Sequence, residues 1–188
     1  MIAPSLMMLV LALFPPLLTA LGVVQEKERG SIYNVYSSTV TRAEFLIGKL
    51  FPYVVISGVN IVVLWVLAVY LFGAPFKGDP VFFFVASLLF VLCTTGIGLV
   101  ISMFVRTQQA ALIITLLISI VPTMNYSGML VPVSSLTGGA WILGHLFPSM
   151  YYTDIVRGTF LKGVGWDVLW ADVLMLAVYA VALRVMAY

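Results

Sequence analysis

Four runs without one charged side chain, residues 1–25, 50–76, 80–105 and 107–153, dictate what this chain can become. Each is long enough for at least one helix across a ~30 Å hydrocarbon core, which takes about 20 residues. Leu, Val, Ile, Ala and Phe follow one another without strict alternation, so the runs read as helices and not as barrel strands. Charged residues make up 9% of the 188, and mean hydropathy is +1.16. A water-soluble domain carries about 25% charge; this chain could not cover its surface in water. The reading is an all-α polytopic membrane protein of about five transmembrane helices plus a re-entrant or interfacial helical segment.

The spans fall at about 3–24, 50–72, 81–104, 108–131 and 167–187. Pro15 and Pro16 lie inside the first and remove two backbone donors, so a kink or break is expected there. The turn "GAPFKGDP" between the second and third spans is short and rich in Gly and Pro. Residues 132–165 are apolar in part but broken by Pro132, Gly138, Gly139, Gly144, Pro148 and Gly158. Short re-entrant or interfacial helices fit that segment, shielded by neighbouring spans. Thr94, Gly98 and Ser102 lie four apart, as do Ala111, Thr115 and Ser119; small residues at this spacing let helices pack closely in lipid. Trp141, Tyr151, Tyr152, Trp166 and Trp170 suit an aromatic belt at one membrane face. The N-terminus lacks a basic region and a small-residue cleavage site, so it reads as a span and not as a removable leader. With no repeat and no linker, 1–188 is one membrane domain.

Lys and Arg counts set the orientation. Lys27, Arg29, Arg42, Lys49, Arg106 and Arg184 fall on one side; Lys77, Arg157 and Lys162 fall on the other. Six against three places residues 25–49 and the C-terminus in the cytoplasm and the N-terminus outside.

Several chemistries lack their parts. A net charge of +2 without a basic tract gives nucleic acid nothing to hold. One cysteine, Cys93, forms no internal disulfide, and with the single His145 it makes no metal set. No G-x-x-x-x-G-K-[ST] phosphate loop occurs, so ATP hydrolysis through that motif must come from elsewhere. An ion-coupled secondary transporter or channel would place an ionisable residue at mid-membrane, and the long runs hold no Asp, Glu, Lys or Arg. Asn60, Thr123 and Asn125 are the polar side chains best placed to lie at membrane depth. They read as interhelical hydrogen bonds or as the lining of a substrate path. Arg157 and Lys162, near Asp154, read as an outer-surface anchor or as attractors for an anionic headgroup.

Charge is concentrated in one place. "VVQEKERGSIYNVYSSTVTRAEFLIGK", residues 23–49, holds seven of the sixteen charged residues. Lys27, Ser31, Asn34 and Ser38 share one face of a short helix, with Ile32, Val35 and Tyr36 on another. Gly30 weakens that helix near its start. Thr41 to Glu44 reads as a capping box opening a second short helix, and Pro52 should bend it on entry to the membrane. The product is a polar elbow. From periodicity alone it is equally a solvated loop that fixes topology or a docking surface for a soluble partner. The acid–base mixture in "EKER" argues against a lipid-binding patch.

The elbow resembles the cytoplasmic loop of ABC-2 type transporter permeases, whose pattern is "REKE-x-G", a turn, then "E-F-(L/I)-x-G-K-x-x-P-Y". The matching positions are Glu26, Lys27, Glu28, Gly30, Glu44, Phe45, Gly48, Lys49, Pro52 and Tyr53. "GIGLVISMFVRTQQAA" (96–111), "SGMLVPVSSL" (127–136) and "FPSMYYTDIVRGTFLKG" (147–163) resemble further family segments in order. Within the family the chain looks most like the membrane half of ribosome-associated ATPase–permease fusions.

The resemblance implies that 25–49 is the coupling elbow docking on a nucleotide-binding domain, through Glu26, Lys27, Glu28, Arg29, Gly30, Ile32 and Tyr33. Thr41, Glu44, Gly48 and Pro52 would be its cap and hinge, and 132–165 the external re-entrant segment. It further implies an ATP-driven exporter in a bacterial inner membrane, paired with a second permease domain. ATP-Mg would sit on the partner, with no cofactor in this chain. The pattern starts at the family's second span, so a first span is expected upstream. A non-transporting membrane anchor for a cytoplasmic ATPase is the competing reading.

Overall fold

The computed structural model describes residues 2–30, 42–126 and 144–187. It contains α1 (Ile2–Glu28), α2 (Arg42–Val66), α3 (Pro80–Phe104), α4 (Gln108–Tyr126), α5 (Pro148–Arg157) and α6 (Trp166–Ala187). A wider π-type turn carries α2 on through Leu71 and α5 through Lys162. No strand occurs among the described residues. All but α5 are long and apolar enough to cross a membrane, as the uncharged runs predict. Twenty-five residues of helix rise about 37 Å, a little more than the hydrocarbon core, so such helices cross at a tilt.

Two boundaries differ from the sequence reading. α1 runs four residues further, taking Gln25–Glu28 into the first span. It also passes through Pro15 and Pro16 without a break. Neighbouring groups support the diproline turn: the Thr19 hydroxyl donates to Pro15 O at 2.8 Å, and α3 packs directly on it at Gly98. The second short helix and the second span are one element, with Pro52 inside α2. An isolated Pro costs one backbone bond, and continuous helix on either side carries the turn. Residues 127–131 of the fourth span, and 132–143 of the broken segment, lie outside the described residues.

The core is built around α3, which packs on α1 and α6 and touches every other helix of the bundle. α1 also packs on α4, while α2 lies against α1 and α3. Thr94, Gly98, Ser102, Ala111, Thr115 and Ser119 are all buried, which is the packing role their spacing predicts. Gly98 is required there. A Cβ at that position would lie 2.4 Å from Pro16 O, a backbone atom that cannot move aside. α5 is inserted among α1, α3, α4 and α6. Pro148 opens it, at a position that needs no donor.

Burying α5 changes the role of two aromatic residues. Tyr152 is fully buried, stacked on Phe90 with ring centroids 4.1 Å apart, and its hydroxyl pairs with Ser87 Oγ at 2.8 Å. Tyr151 is 9% exposed. These two are core residues, not members of an aromatic belt. Trp166 and Trp170 are exposed, at 48% and 60%; Trp141 is outside the described residues. The end of α5 closes against the 72–80 turn, where Lys77 N and Gly78 N donate to Thr159 O at 3.3 and 2.9 Å.

Candidate functional site

Three consecutive side chains at the end of α1 reach three different helices. An α-helix turns about 100° per residue, so Glu26, Lys27 and Glu28 must point in different directions. Glu26 forms an ion pair with Lys49 of α2. The Lys27 ammonium donates to the carbonyl of Ser102 in the last turn of α3. Glu28 accepts from the Gln108 backbone N–H at 3.0 Å and from the Gln108 side-chain amide, at the first turn of α4.

The signs match the helix ends. The last carbonyls of a helix lack intrahelical donors and attract a cation; the first N–H groups lack acceptors and attract an anion. Lys27 serves the first need and Glu28 the second. Thr107 completes the α4 start: its carbonyl takes Ala111 N at 3.0 Å and its hydroxyl takes Ala110 N at 3.4 Å. The "EKE" run is therefore a clasp that ties one end of α1 to the ends of α2, α3 and α4.

Around the clasp, Gly30 has a left-handed φ of +70° and ends α1, donating to Lys27 O at 3.2 Å. It stops the spanning helix, where the sequence pattern placed it near the start of a separate short helix. Arg29 is exposed beside it. Glu44 sits in the first turn of α2 and is exposed, as are Gly48 and Pro52. A Cβ on Gly48 would meet nothing within 4 Å. Tyr53 inserts against α1, where Gly22 leaves room for its hydroxyl. Ile32, Tyr33 and Thr41 lie outside the described residues.

Sequence reasoning missed Ser102, Gln108 and Gly22 as members of this end of the molecule. Ser102 contributes only a carbonyl, which any residue would have supplied. Gln108 is 80 positions from its partner. The one available signal was its place directly after Arg106-Thr107, a helix start beside the charged end.

The polar residues at membrane depth are spread apart. Thr123 is buried and pairs with Ser149 Oγ at 2.9 Å, joining α4 to α5. Asn125 donates to Val121 O at 2.8 Å on its own helix. Asn60 lines a groove between α1 and α2 that encloses about 320 Å³, with Ser57 beside it. Thr123 and Asn125 are not among that groove's lining residues. Among the described residues, no three His, Cys, Asp or Glu side chains come together to hold a metal.

A bundle of apolar spans with a charged clasp at one end defines a polytopic membrane protein. The family is equally plain: residues 1–188 match the ABC-2 family transporter protein model, and the chain belongs to that family. It is 30% identical over 180 residues to the probable multidrug ABC transporter permease YbhS of Escherichia coli, covering 96% of this chain and 48% of that protein. It is 26% identical over 169 residues to the probable multidrug ABC transporter permease YbhR of the same organism, covering 90% and 46%. ABC transporter G family member 20 of Dictyostelium discoideum is 27% identical over 164 residues, 87% of this chain and 22% of that protein. The chain spans about half the length of the bacterial relatives it matches. No solved structure matches it.

Proposed function

We propose that the chain is the membrane-spanning permease part of an ATP-driven exporter, and that the clasp at the end of α1 couples it to a nucleotide-binding domain. The observation that carries this reading is the sharing of three adjacent charges among three neighbouring helices. A force applied to the elbow at 29–49 enters α1 at Gly30 and α2 at Glu44. Through Glu26, Lys27 and Glu28 it reaches the ends of α2, α3 and α4 together. Helices joined at one end and packed on small residues along their length rock as a unit.

In this reading the charged end lies in the cytoplasm, in accord with the six-to-three excess of Lys and Arg. The N-terminus and the 72–80 turn then lie outside, and the C-terminus inside. The membrane is the bacterial inner membrane. A second permease domain completes the walls of the path, and the partner domain holds ATP-Mg. Glu26, Lys27 and Glu28 act as transmission parts, and Arg29 with Ile32 and Tyr33 offers the docking face. Asn60, Thr123 and Asn125 remain the candidate polar points along a substrate path, and the names of two bacterial relatives, probable multidrug permeases, suggest drugs as cargo.

The test separates transmission from docking. Arg29→Glu should weaken co-purification of the nucleotide-binding domain, because it reverses a charge on the docking face. Glu28→Lys should retain that co-purification and lose substrate-stimulated ATP hydrolysis, because it repels the α4 start instead. Normal insertion is expected for Glu28→Lys, since an added lysine strengthens the positive-inside bias. Full coupling in Glu28→Lys would remove the clasp from the mechanism. Vesicles that never transport with ATP and the partner present would leave only a membrane anchor.

A further inference from the structure

The groove between α1 and α2 carries two polar side chains that no described residue satisfies. Ser57 is 2% exposed, and its hydroxyl has no hydrogen-bond partner among the described residues. The hydroxyls of Thr115 and Ser119 on α4 share that state. Thr19, Ser87, Thr94 and Thr159, equally buried in helices, each donate back to a carbonyl of their own helix. Asn60, one turn further along α2, lines the same groove and is half-buried. Its carboxamide brings two donors and an acceptor and takes up no hydrogen bond among the described residues. Polar groups left unpaired in hydrocarbon are costly.

The walls define what would satisfy them. Val10, Phe14 and Leu18 recur at helical spacing on α1, and Val63 continues the apolar lining past Asn60 on α2. No charged residue lines the groove, so neither an anion nor a cation finds a counter-charge. Asn60 sits near the middle of the apolar stretch Ile47–Leu71, and Phe14 near the middle of Pro4–Glu28. A phospholipid keeps its headgroup at the interface, roughly 15 Å from that depth, and cannot present it here. Phe14 and Val63 are each 48% exposed, so the groove is reached sideways from the bilayer. Its 320 Å³ lies at the small end of ligand sites, which run about 300–1,000 Å³.

We infer that this groove binds small, uncharged, apolar compounds carrying one neutral hydrogen-bonding group, a carbonyl or hydroxyl, which pairs with Asn60. The compound enters from the bilayer, where it is already concentrated by partitioning. Its role as cargo rests on the permease function proposed above; the binding itself does not.

Benzophenone is a direct probe, being apolar, neutral, photoreactive and equipped with a single ketone. The chain in lipid vesicles is irradiated with increasing benzophenone, and the labelled residues are mapped by mass spectrometry. Under near-ultraviolet light that benzophenone absorbs and phenyl benzoate does not, labelling at Phe14 and Val63 should saturate and be displaced by phenyl benzoate, but not by diphenylmethane, which lacks the carbonyl. Labelling at Val181 on α6, which is 62% exposed, should rise linearly and resist both. Asn60→Leu should weaken the saturable labelling by about five-fold, the ratio that one lost hydrogen bond produces; Asn60→Gln should recover part of it. Both variants replace a partly lipid-facing side chain, and unchanged Val181 labelling reports a folded bundle. Linear labelling at Phe14 and Val63 equal to that at Val181 would overturn the inference, as would cross-links joining the groove to another polypeptide. The assay uses neither ATP nor a partner. It can fail while the permease reading stands, and a failure of transport leaves its outcome untouched.

Discussion

α2 and α3 are alike in sequence and unlike in place. The spanning stretch of α2, Ile47–Leu71, has mean hydropathy 2.5, and that of α3, Pro80–Phe104, has 2.4; each is 25 residues long. Yet over an 18-residue apolar window of each, 17% of the first and 61% of the second is buried within the bundle. Hydropathy decides that a helix enters the membrane and is silent about whether it faces lipid or protein, because lipid and core are equally apolar. Side-chain size makes the difference. α3 carries Cys93, Thr94, Thr95, Gly96, Gly98 and Ser102 along its buried faces, which let α1 and α6 approach. α2 carries Val55, Ile56, Val59, Val62, Val63 and Val66, all exposed. α2 is joined to the bundle by fewer contacts: the Glu26–Lys49 ion pair, the Tyr53–Gly22 fit and the aromatic contacts of Trp65 with Phe76 and Phe84.

The largest effect that tests this contrast is Gly98→Leu in α3. The new side chain meets Pro16 backbone atoms within 3.0 Å, and the two helices must part. A loss of roughly 2–3 kcal/mol, the upper range for overpacking, is expected in reversible unfolding from mixed micelles. Tyr152→Phe comes next. It removes the hydroxyl paired with Ser87 but leaves Ser87 bonded to Phe83 O at 2.7 Å. About 1 kcal/mol should be lost in the same measurement.

Lys49→Met separates α2 from the clasp while leaving α3 and α4 tied. The side chains of Lys49 and Glu26 are 16% and 33% exposed, and a pair so placed contributes at most about 1 kcal/mol. Amide exchange should quicken at the start of α2 and stay unchanged at 99–111; uniform acceleration would mean that the clasp acts as one piece. The smallest effects belong to Gly58→Leu and Gly48→Ala on α2. A Cβ at Gly58 meets only Leu88 Cδ1 at 3.9 Å, and one at Gly48 meets nothing within 4 Å. Both changes should stay within about 0.5 kcal/mol. A cost at Gly58 as large as that at Gly98 would show that another helix covers α2, and the contrast between the two spans would collapse.

Much of the fold could be read directly from the chain. Helix ends matched to within a few residues at Pro80, Phe104, Gln108 and Trp166, because charge, Pro and Gly mark where a span leaves hydrocarbon. The charged stretch was legible as a special region, and its residues carried the family resemblance. Its geometry was not legible. The sequence pattern divided the first span from a short amphipathic helix, whereas one helix runs through to Glu28. Polarity suggested an exit from the membrane at Gln25, and the clasp supplies partners that keep the helix wound past it.

What the sequence determined alone was that five helices are long and apolar enough to cross a membrane, that one end is charged, and that the chain holds no G-x-x-x-x-G-K-[ST] motif. These follow from local rules: a backbone in lipid must satisfy itself within one helix, so a window of about 20 residues suffices to recognise it. Tertiary structure alone decided that α3 is central and α2 peripheral, that Tyr152 is core, and that Glu28 caps a helix 80 residues away. Those outcomes depend on which small residues meet and which charges find a helix end. Such pairings join distant parts of the chain, and no local pattern records them.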